Sequence, residues 1–338
     1  YSQNGMADLL TEKSSAYQLN IELFNVTQHT ITGWPGGKPK ADDSSRPERA
    51  DPFPKRSLVL APEPMDEVFC MGGTLHRLGN QGHEVSVAYQ TSGSLAVPDT
   101  DLRHAIELMM EVGRERSKTD EVAFAQNIVE QLEAKGQFGE DSPDIRRIKG
   151  LIRRGEARSS ARLLQIDPSR LEFMDLPFYE NGRYRRFQHG SADVDAMQTL
   201  LERVRPHQIF ATGAGHDPLS VPAICFQILV EALQNLKDAD WLADCRVWLY
   251  RGPGMEWPLP EIDMAVPLSP GEFDFKIRGI YQHLTQRSQS PGADGRRASN
   301  SWNLASELNR ATAQQYDQLG LPEYEAIEGF KIWRGDWT

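Results

Sequence analysis

The sequence is short of cysteine, of basic excess and of long apolar runs, and each shortage removes a class of protein. Its three cysteines are Cys70, Cys225 and Cys245. Odd in number and far apart, they build neither a disulfide framework nor a cysteine-rich zinc site, and they fit small buried side chains in a reducing cytoplasm. Lysine and arginine together number 37 against 48 aspartates and glutamates, a formal charge of −11. Such a balance argues against nucleic-acid phosphates or anionic lipid as partners. No apolar stretch approaches the ~20 residues that span a bilayer, and no signal peptide opens the chain. The expectation is a cytoplasmic protein, without a nucleic-acid or membrane partner, that starts at Tyr1 rather than at Met.

What is present suits a folded enzyme-sized domain. The chain has 338 residues, 39% of them hydrophobic, enough for a proper core in one large α/β domain or two smaller ones. Residues 1–54 read as a connector: a short amphipathic piece at Tyr17–Phe24, then five prolines between Gly33 and Pro54, with Trp34 and Phe53 suited to docking on a neighbour. From Lys55 to the end, residues 55–338, the grammar is that of an α/β domain. Ser57–Ala61 is a continuous apolar run, as a strand buried on both faces requires. A helix from about Val68 and a strand at Glu84–Gln90 complete a βαβ unit. Further strands are expected at Leu171–Met174, His207–Thr212, Arg246–Tyr250 and Ile262–Val266. Helices are expected within Asp101–Lys135 and over Asp144–Leu164, Pro222–Leu236, Pro270–Gln286 and Ser301–Leu319. The fold class is a doubly wound, largely parallel, Rossmann-like sheet, whose ligands belong at the carboxyl ends of the strands. Three such ends carry unusual residues: Pro62–Glu67, Thr91–Ser94 and Gly213–Pro222.

Val59-Leu-Ala-Pro-Glu-Pro-Met-Asp-Glu-Val68, Met71-Gly-Gly-Thr-Leu75, Gln81-Gly-His-Glu-Val85, Thr91-Ser-Gly93 and Arg153-Arg-Gly-Glu-Ala157 follow one another in an order that resembles the PIG-L/LmbE-type zinc N-deacetylases. The resemblance implies their fold and an ancestral removal of acetyl groups from N-acetylglucosamine-type substrates. It also implies where the machinery should stand: a metal-ligand His at Glu63, the general base at Met65, a second ligand Asp at Asp66, and two histidines at Leu219 and Pro222. Only Asp66 keeps the expected residue. A thioether takes no proton from water, and leucine and proline offer no ligand atom, so these positions read as vestigial and neither catalytic residues nor a metal are expected. Zinc or another divalent ion returns only if Glu63, Asp66 and His216 rebuild an oxygen-rich site. The competing reading of Glu63 and Asp66, and the better one, is that they cap the helix that follows. Thr91, Ser92, Arg153, His216 and Asp217 are the candidate ligand-pocket residues, each weighed against capping, ion pairing or simple solvation. Trp248, Tyr250, Met255 and Trp257 would either line a sugar-stacking surface or pack in the core.

A second layer involves Asn4-Gly-Met-Ala-Asp-Leu-Leu, His29-Thr-Ile-Thr-Gly-Trp-Pro-Gly-Gly-Lys-Pro39, Arg46-Pro-Glu-Arg49 and Asn309-Arg-Ala-Thr-Ala313. These are similar to a bacterial subgroup in which a glucosamine-6-phosphate deaminase domain precedes a PIG-L-like domain. The similarity implies a C-terminal portion of a longer chain, with a fused or associated deaminase-like domain and an amino-sugar or sugar-phosphate ligand. The leading expectation is a degenerate deacetylase-fold module with a binding or regulatory role in amino-sugar metabolism. The alternatives are an active metal-dependent deacetylase with a rebuilt site, and a scaffold for the deaminase domain.

Overall fold

The computed structural model describes residues 15–41, 51–136, 139–181, 187–213, 217–252, 256–287 and 301–335. Its centre is a sheet of the strands β1 (Arg56–Ala61), β2 (Glu84–Tyr89), β3 (Leu171–Phe173), β4 (Gln208–Gly213), β5 (Arg246–Arg251), β6 (Met264–Leu268) and β7 (Ala326–Ile332), in the order β3-β2-β1-β4-β5-β7-β6. The first five strands run parallel, while β7 is antiparallel to both β5 and β6. Chain order reverses between β1 and β4, which share the register Ser57↔Gln208 to Val59↔Phe210. That reversal opens a crevice at their carboxyl ends.

Helices cover both faces because the central strands are apolar on both. Along β1, Leu58 and Leu60 pack to one side with helices α7 (Ser191–Val204) and α8 (Val221–Asn235). Val59 and Ala61 pack to the other, with α2 (Asp66–Asn80), α5 (Pro143–Leu163) and α9 (Pro270–Ile280). The period-2 alternation of a strand sends neighbours to opposite faces, so a run of five buried residues feeds two cores. Helices α3 (Asp99–Glu115) and α4 (Thr119–Lys135) form a small cluster of their own against Ile145 of α5. The short α6 (Pro177–Glu180) follows β3, and α10 (Ser301–Gln318) precedes β7.

The mostly parallel sheet flanked by helices is the fold expected from the sequence, with three additions and one correction. The short helix α6, helix α7 and strand β7 are the additions. The expected helix over Pro270–Gln286 ends at Ile280, and Leu284–Gln286 is a separate 3-10 turn. Strand β7 escapes a hydrophobic reading because Glu328 and Gly329 break its apolar run. Both have tertiary reasons to be there. Glu328 is buried and its carboxylate accepts from the Gly73 and Thr74 amides at 3.1 and 2.7 Å. Those amides are exposed by a kink in α2 at Met71, whose φ of −141° is not helical. The second half of α2 is thus capped by a carboxylate from a strand 250 residues away, which satisfies donors that a kinked helix would orphan.

Gly73 lies where α2 meets β6: a Cβ there would sit 2.5 Å from both δ carbons of Leu268. Gly73→Ala is therefore expected to cost about 1–3 kcal/mol by overpacking, read by urea denaturation, with the loss partly restored by adding Leu268→Ala. An Ala variant as stable as the parent would show that the helix and sheet can separate freely.

The connector contains helix α1 (Ala16–Thr30), and the chain after it lies on this same domain. Ile31 bridges Ala265 of β6, Thr32 N donates to Ala265 O at 2.8 Å, and Gln81 Nε2 donates to Gly33 O at 2.8 Å. Phe53 meets the His83 ring edge-on, and His83 Nδ1 accepts from Lys55 N at 3.0 Å. His83 is thus a packing residue at the strand start.

Candidate functional site

The β1 strand ends at Ala61 and the chain turns through Pro62–Met65 into α2. Thr91 locks this loop to the end of β2, donating to Pro62 O from its amide at 3.0 Å and from its hydroxyl at 2.8 Å. Met65 carries φ of +99°, in the left-handed region that a residue with a long side chain rarely occupies. Strain of this kind persists only where the surroundings impose it. Here Glu67 Oε2 accepts from Met65 N at 3.1 Å, Asp66 Oδ2 accepts from Glu63 N at 3.0 Å, and the Arg153 guanidinium donates to Pro64 O. The position at which the sequence resemblance implies a general base therefore has an unusual backbone and carries a thioether.

Three carboxyls crowd the first turn of α2 beside one cation. Asp66 is pushed up from 3.8 to about 8, by burial first and then by the neighbouring Glu63 and Glu67. Burial also raises Glu63, partly offset by the Arg153 charge and the Tyr179 hydroxyl. Glu67 is raised by burial too, although it accepts from Tyr89 Oη at 2.8 Å. Desolvation disfavours the charged carboxylate, and like charges within a few ångströms add to it. Asp66 and Glu67 accept from the Glu63 and Met65 amides of the loop before the helix, and the N-cap position Met65 makes no side-chain cap. The expected capping by Glu63 and Asp66 is therefore not what these side chains do: in this turn Glu63 supplies a backbone amide.

Arg153 is only 1% exposed, although it sits in a helix dense with arginines. It pairs with Glu156 at 3.3 Å, and Glu156 in turn accepts from Thr285 N at 2.8 Å and Thr285 Oγ1 at 2.9 Å. Gly93, at φ +63°, lets the β2 loop pass close to this group: a Cβ there would come 3.2 Å from Arg153 Nε and 3.5 Å from Glu63 Cβ. Ser92 is held by Glu180, which accepts from its amide at 3.1 Å, and its own hydroxyl accepts from Ser94 N at 3.3 Å. Ser92 also opens onto a large polar cavity alongside α5, next to Arg146, Arg154 and Glu180.

On the β4 side, Asp217 is exposed and holds its own turn: Leu219 N donates to Asp217 Oδ1 at 2.9 Å. Leu219 points to solvent at 72% exposure and Pro222 opens α8, so neither contributes a donor atom. His216 lies outside the described residues, as does Met255. The structure thus joins Glu63, Met65, Asp66, Thr91 and Arg153 in one locus, with Ser92 at its margin. Among the described residues, no group of three or more His, Cys, Asp or Glu side chains is arranged to hold a metal ion. Two carboxylates, a thioether, a leucine and a proline do not fit the histidine-rich tetrahedral set that zinc hydrolases use.

The three aromatic residues weighed as a stacking surface, Trp248, Tyr250 and Trp257, do not share one. Tyr250 is buried and donates to Leu60 O at 2.7 Å. Trp257 packs against Gly213 and donates to Leu249 O at 2.9 Å, while Trp248 faces the opposite end of the sheet. Tyr179, Glu180, Glu67 and His283 belong to the locus but escaped the sequence reading. His283 is wholly buried, and neither ring nitrogen has a hydrogen-bond partner among the described residues. Burial, and then the Arg153 charge, hold its pKa well below the usual imidazole value. The third acid in Asp66-Glu67 was the one visible signal; the other three sit at chain positions no spacing connects to the loop.

A sequence model of the PIG-L family, described as GlcNAc-PI de-N-acetylase, matches residues 58–220, the stretch from β1 to the start of α8. Residues 58–220 form a PIG-L domain. The chain is also 44% identical over 337 residues to a glucosamine-6-phosphate deaminase-like protein of Bacteroides thetaiotaomicron, covering 98% of this chain and 50% of the relative. It thus spans about half the length of the curated relative it matches. N,N'-diacetylchitobiose deacetylase from Pyrococcus horikoshii superposes with a TM-score of 0.50 at 17% identity, over 82% of this chain and 83% of that one. GalB, the 4-carboxy-2-hydroxymuconate hydratase of Pseudomonas putida KT2440, gives 0.52 at 16% identity, over 83% and 98%. At these identities the likeness is one of fold. A deacetylase and a hydratase on one PIG-L-like frame mean that the reaction must be argued from side chains.

Proposed function

We propose that this PIG-L domain is a degenerate amino-sugar deacetylase-fold module, which binds an amino sugar or sugar phosphate without zinc-dependent hydrolysis. Its role is binding or regulatory, in a glucosamine-6-phosphate deaminase-like protein. The observation that carries this reading is Met65, held on a strained backbone where the family resemblance puts the general base. Beside it, Asp66 and Glu67 are turned back onto the amides of Glu63 and Met65. A zinc hydrolase needs an open metal position and a group that takes the proton of the attacking water. Here Asp66 and Glu67 are tied to the loop's own backbone and to Tyr89, Glu63 is engaged by Arg153 and the Tyr179 hydroxyl, and Leu219 and Pro222 supply nothing opposite. The sugar class rests on the name of the Bacteroides relative and on the family description. The locus suits such a ligand because it combines carboxyls, a buried guanidinium and a tyrosine hydroxyl, groups that hydrogen-bond sugar hydroxyls and amines.

The test combines elemental analysis of protein purified without chelator with acetate release from N-acetylglucosamine and its 6-phosphate. Substoichiometric zinc and no acetate are expected. Roughly one zinc per chain, with acetate release that disappears in Asp66→Ala, would overturn the reading in favour of a rebuilt hydrolase. Glucosamine 6-phosphate at 100 times its dissociation constant should stabilise the fold by about 2.7 kcal/mol. A melting temperature indifferent to every amino-sugar phosphate would favour the scaffold instead.

A further inference from the structure

At the opposite end of the sheet from Glu63 and Asp66, the connector roofs a second cavity of about 490 Å³. Its floor is the amino edge of the sheet, where β1, β4, β5 and β6 begin, and its roof includes Trp34 and Asp51. Three of the seven tryptophans of the chain, Trp34, Trp241 and Trp248, line this one space. Core packing alone does not gather them, since Trp34 is 40% exposed and Trp241 is half-buried. A tryptophan left partly wet at a concave wall is a flat apolar surface awaiting a ring.

The charge lining is equally distinctive. Lys55, Arg56 and Arg246 face Asp51 and Asp244, so three cations meet two carboxylates inside a protein whose total charge is −11. Lys55 and Arg56 have internal work: Lys55 Nζ donates to Pro52 O at 3.1 Å, and Arg56 Nε donates to Arg205 O at 2.8 Å. The half-buried guanidinium of Arg246 has no hydrogen-bond or ion-pair partner among the described residues. Beside these, His207 Nδ1 accepts from Arg56 N at 3.0 Å. Burial and the charges of Arg56 and Lys55 lower its pKa, while Glu84 and Asp244 oppose them weakly. A neutral imidazole that accepts at Nδ1 carries its proton on Nε2, so His207 adds a neutral donor to the wall.

We propose that this cavity is a binding site for a phosphate monoester carrying a ring with an apolar face, of mononucleotide or sugar-phosphate size. Its ring stacks among Trp34, Trp241 and Trp248, and its phosphate is taken by Arg246 with His207 Nε2 as a further donor. The volume falls within the roughly 300–1,000 Å³ of small-molecule sites. Arginine presents a planar fork suited to phosphate oxygens. This site stands apart from the amino-sugar reading of the Glu63 loop, because β1 separates the two: Arg56 at its start lines this cavity and Ala61 at its end enters the other.

Intrinsic tryptophan fluorescence of the whole chain is titrated with AMP, with glucosamine 6-phosphate and with inorganic phosphate. A saturable change is expected with at least one ester and not with phosphate alone; which ester gives it identifies the ring. Arg246→Gln and Trp241→Ala should each weaken that binding roughly tenfold or more. Arg246→Lys should keep most of it, and Glu107→Gln, an exposed α3 position that lines neither this cavity nor the Glu63 loop, all of it. Circular dichroism melts verify that the variants are folded. No response to either ester, an equal response to inorganic phosphate, binding untouched by both cavity variants, or binding lost in Glu107→Gln would each overturn the proposal.

Discussion

Replacing Lys276 by methionine is expected to lower the unfolding free energy by about 3–5 kcal/mol, the cost of stripping one partner from a buried ion pair. Lys276 on α9 and Glu328 on β7 are both without solvent exposure at their side chains. Lys276 Nζ lies 2.7 Å from Glu328 Oε1 and 2.6 Å from Asn309 Oδ1. The pair is also the junction of three elements, because the same carboxylate caps the kinked half of α2 through Gly73 and Thr74. Methionine fills the volume of the lysine stem, so the loss reads the charge and not a cavity. Urea denaturation at neutral pH measures it, and the double variant Lys276→Met/Glu328→Gln should recover part of the loss, since it leaves no carboxylate without its counter-ion. A single variant within about 1 kcal/mol of the parent, the range of surface pairs, would show that the two helix amides neutralise Glu328 unaided.

Asp66→Asn should do the opposite and stabilise the fold, by an amount that grows with pH. The native carboxyl titrates at about 8 against 3.8 for the ordinary group. Folding therefore takes up a proton between those values. The favourable contribution of the protonated acid is complete below pH ~4 and is lost as pH rises through ~8. Asparagine cannot ionise, and its Oδ1 can still accept from Glu63 N. The variant should match the parent at pH ~4, draw ahead as pH rises, and exceed it by on the order of 1–3 kcal/mol at pH 8. Glu63 and Glu67 are raised in the same direction, as is Glu256, which burial brings to about 7. Glu256 is common to both proteins and cancels, while Glu63 and Glu67 interact with Asp66, so the pH dependence of the difference reads the loss of one acid from this coupled group. A difference that stays flat from pH 5 to pH 8 would mean that Asp66 is ionised in the folded protein.

The sheet was legible where burial is symmetrical. Runs such as Ser57–Ala61 and Val247–Tyr250 are strands because both faces are covered, and a continuous apolar segment states that directly. Strand β7 was hidden for the converse reason: its polar residue serves a helix amide and a lysine that only the tertiary fold brings near. Helix α7 carries no comparable excuse, and its residues Val194, Met197, Leu200 and Leu201 do recur at helical spacing. At the site, the loop residues Glu63, Met65 and Asp66 were readable because they are neighbours in the chain. The burial of Arg153 was not, since Arg146, Arg147, Arg154 and Arg158 surround it in sequence and composition suggests an exposed helix. What internalises it is the Pro64 carbonyl on one side and Glu156, held by Thr285, on the other. Tyr179 and His283 reach the same place from segments that no local pattern links to β1.

The connector has one more consequence, for what the border of the sheet is free to pair with. Strand β6 forms one border of the sheet and would offer a row of unpaired amides and carbonyls as a template for another strand. Pro267 removes one donor from that row, and Ile31 and Thr32 occupy Ala265 next to it. The far border is β3, only three residues long. The stretch that roofs the tryptophan cavity is therefore also a guard rail. A chain nicked there would lose its hold on β6 and gain an adhesive edge, turning a ligand enclosure into a route to aggregation.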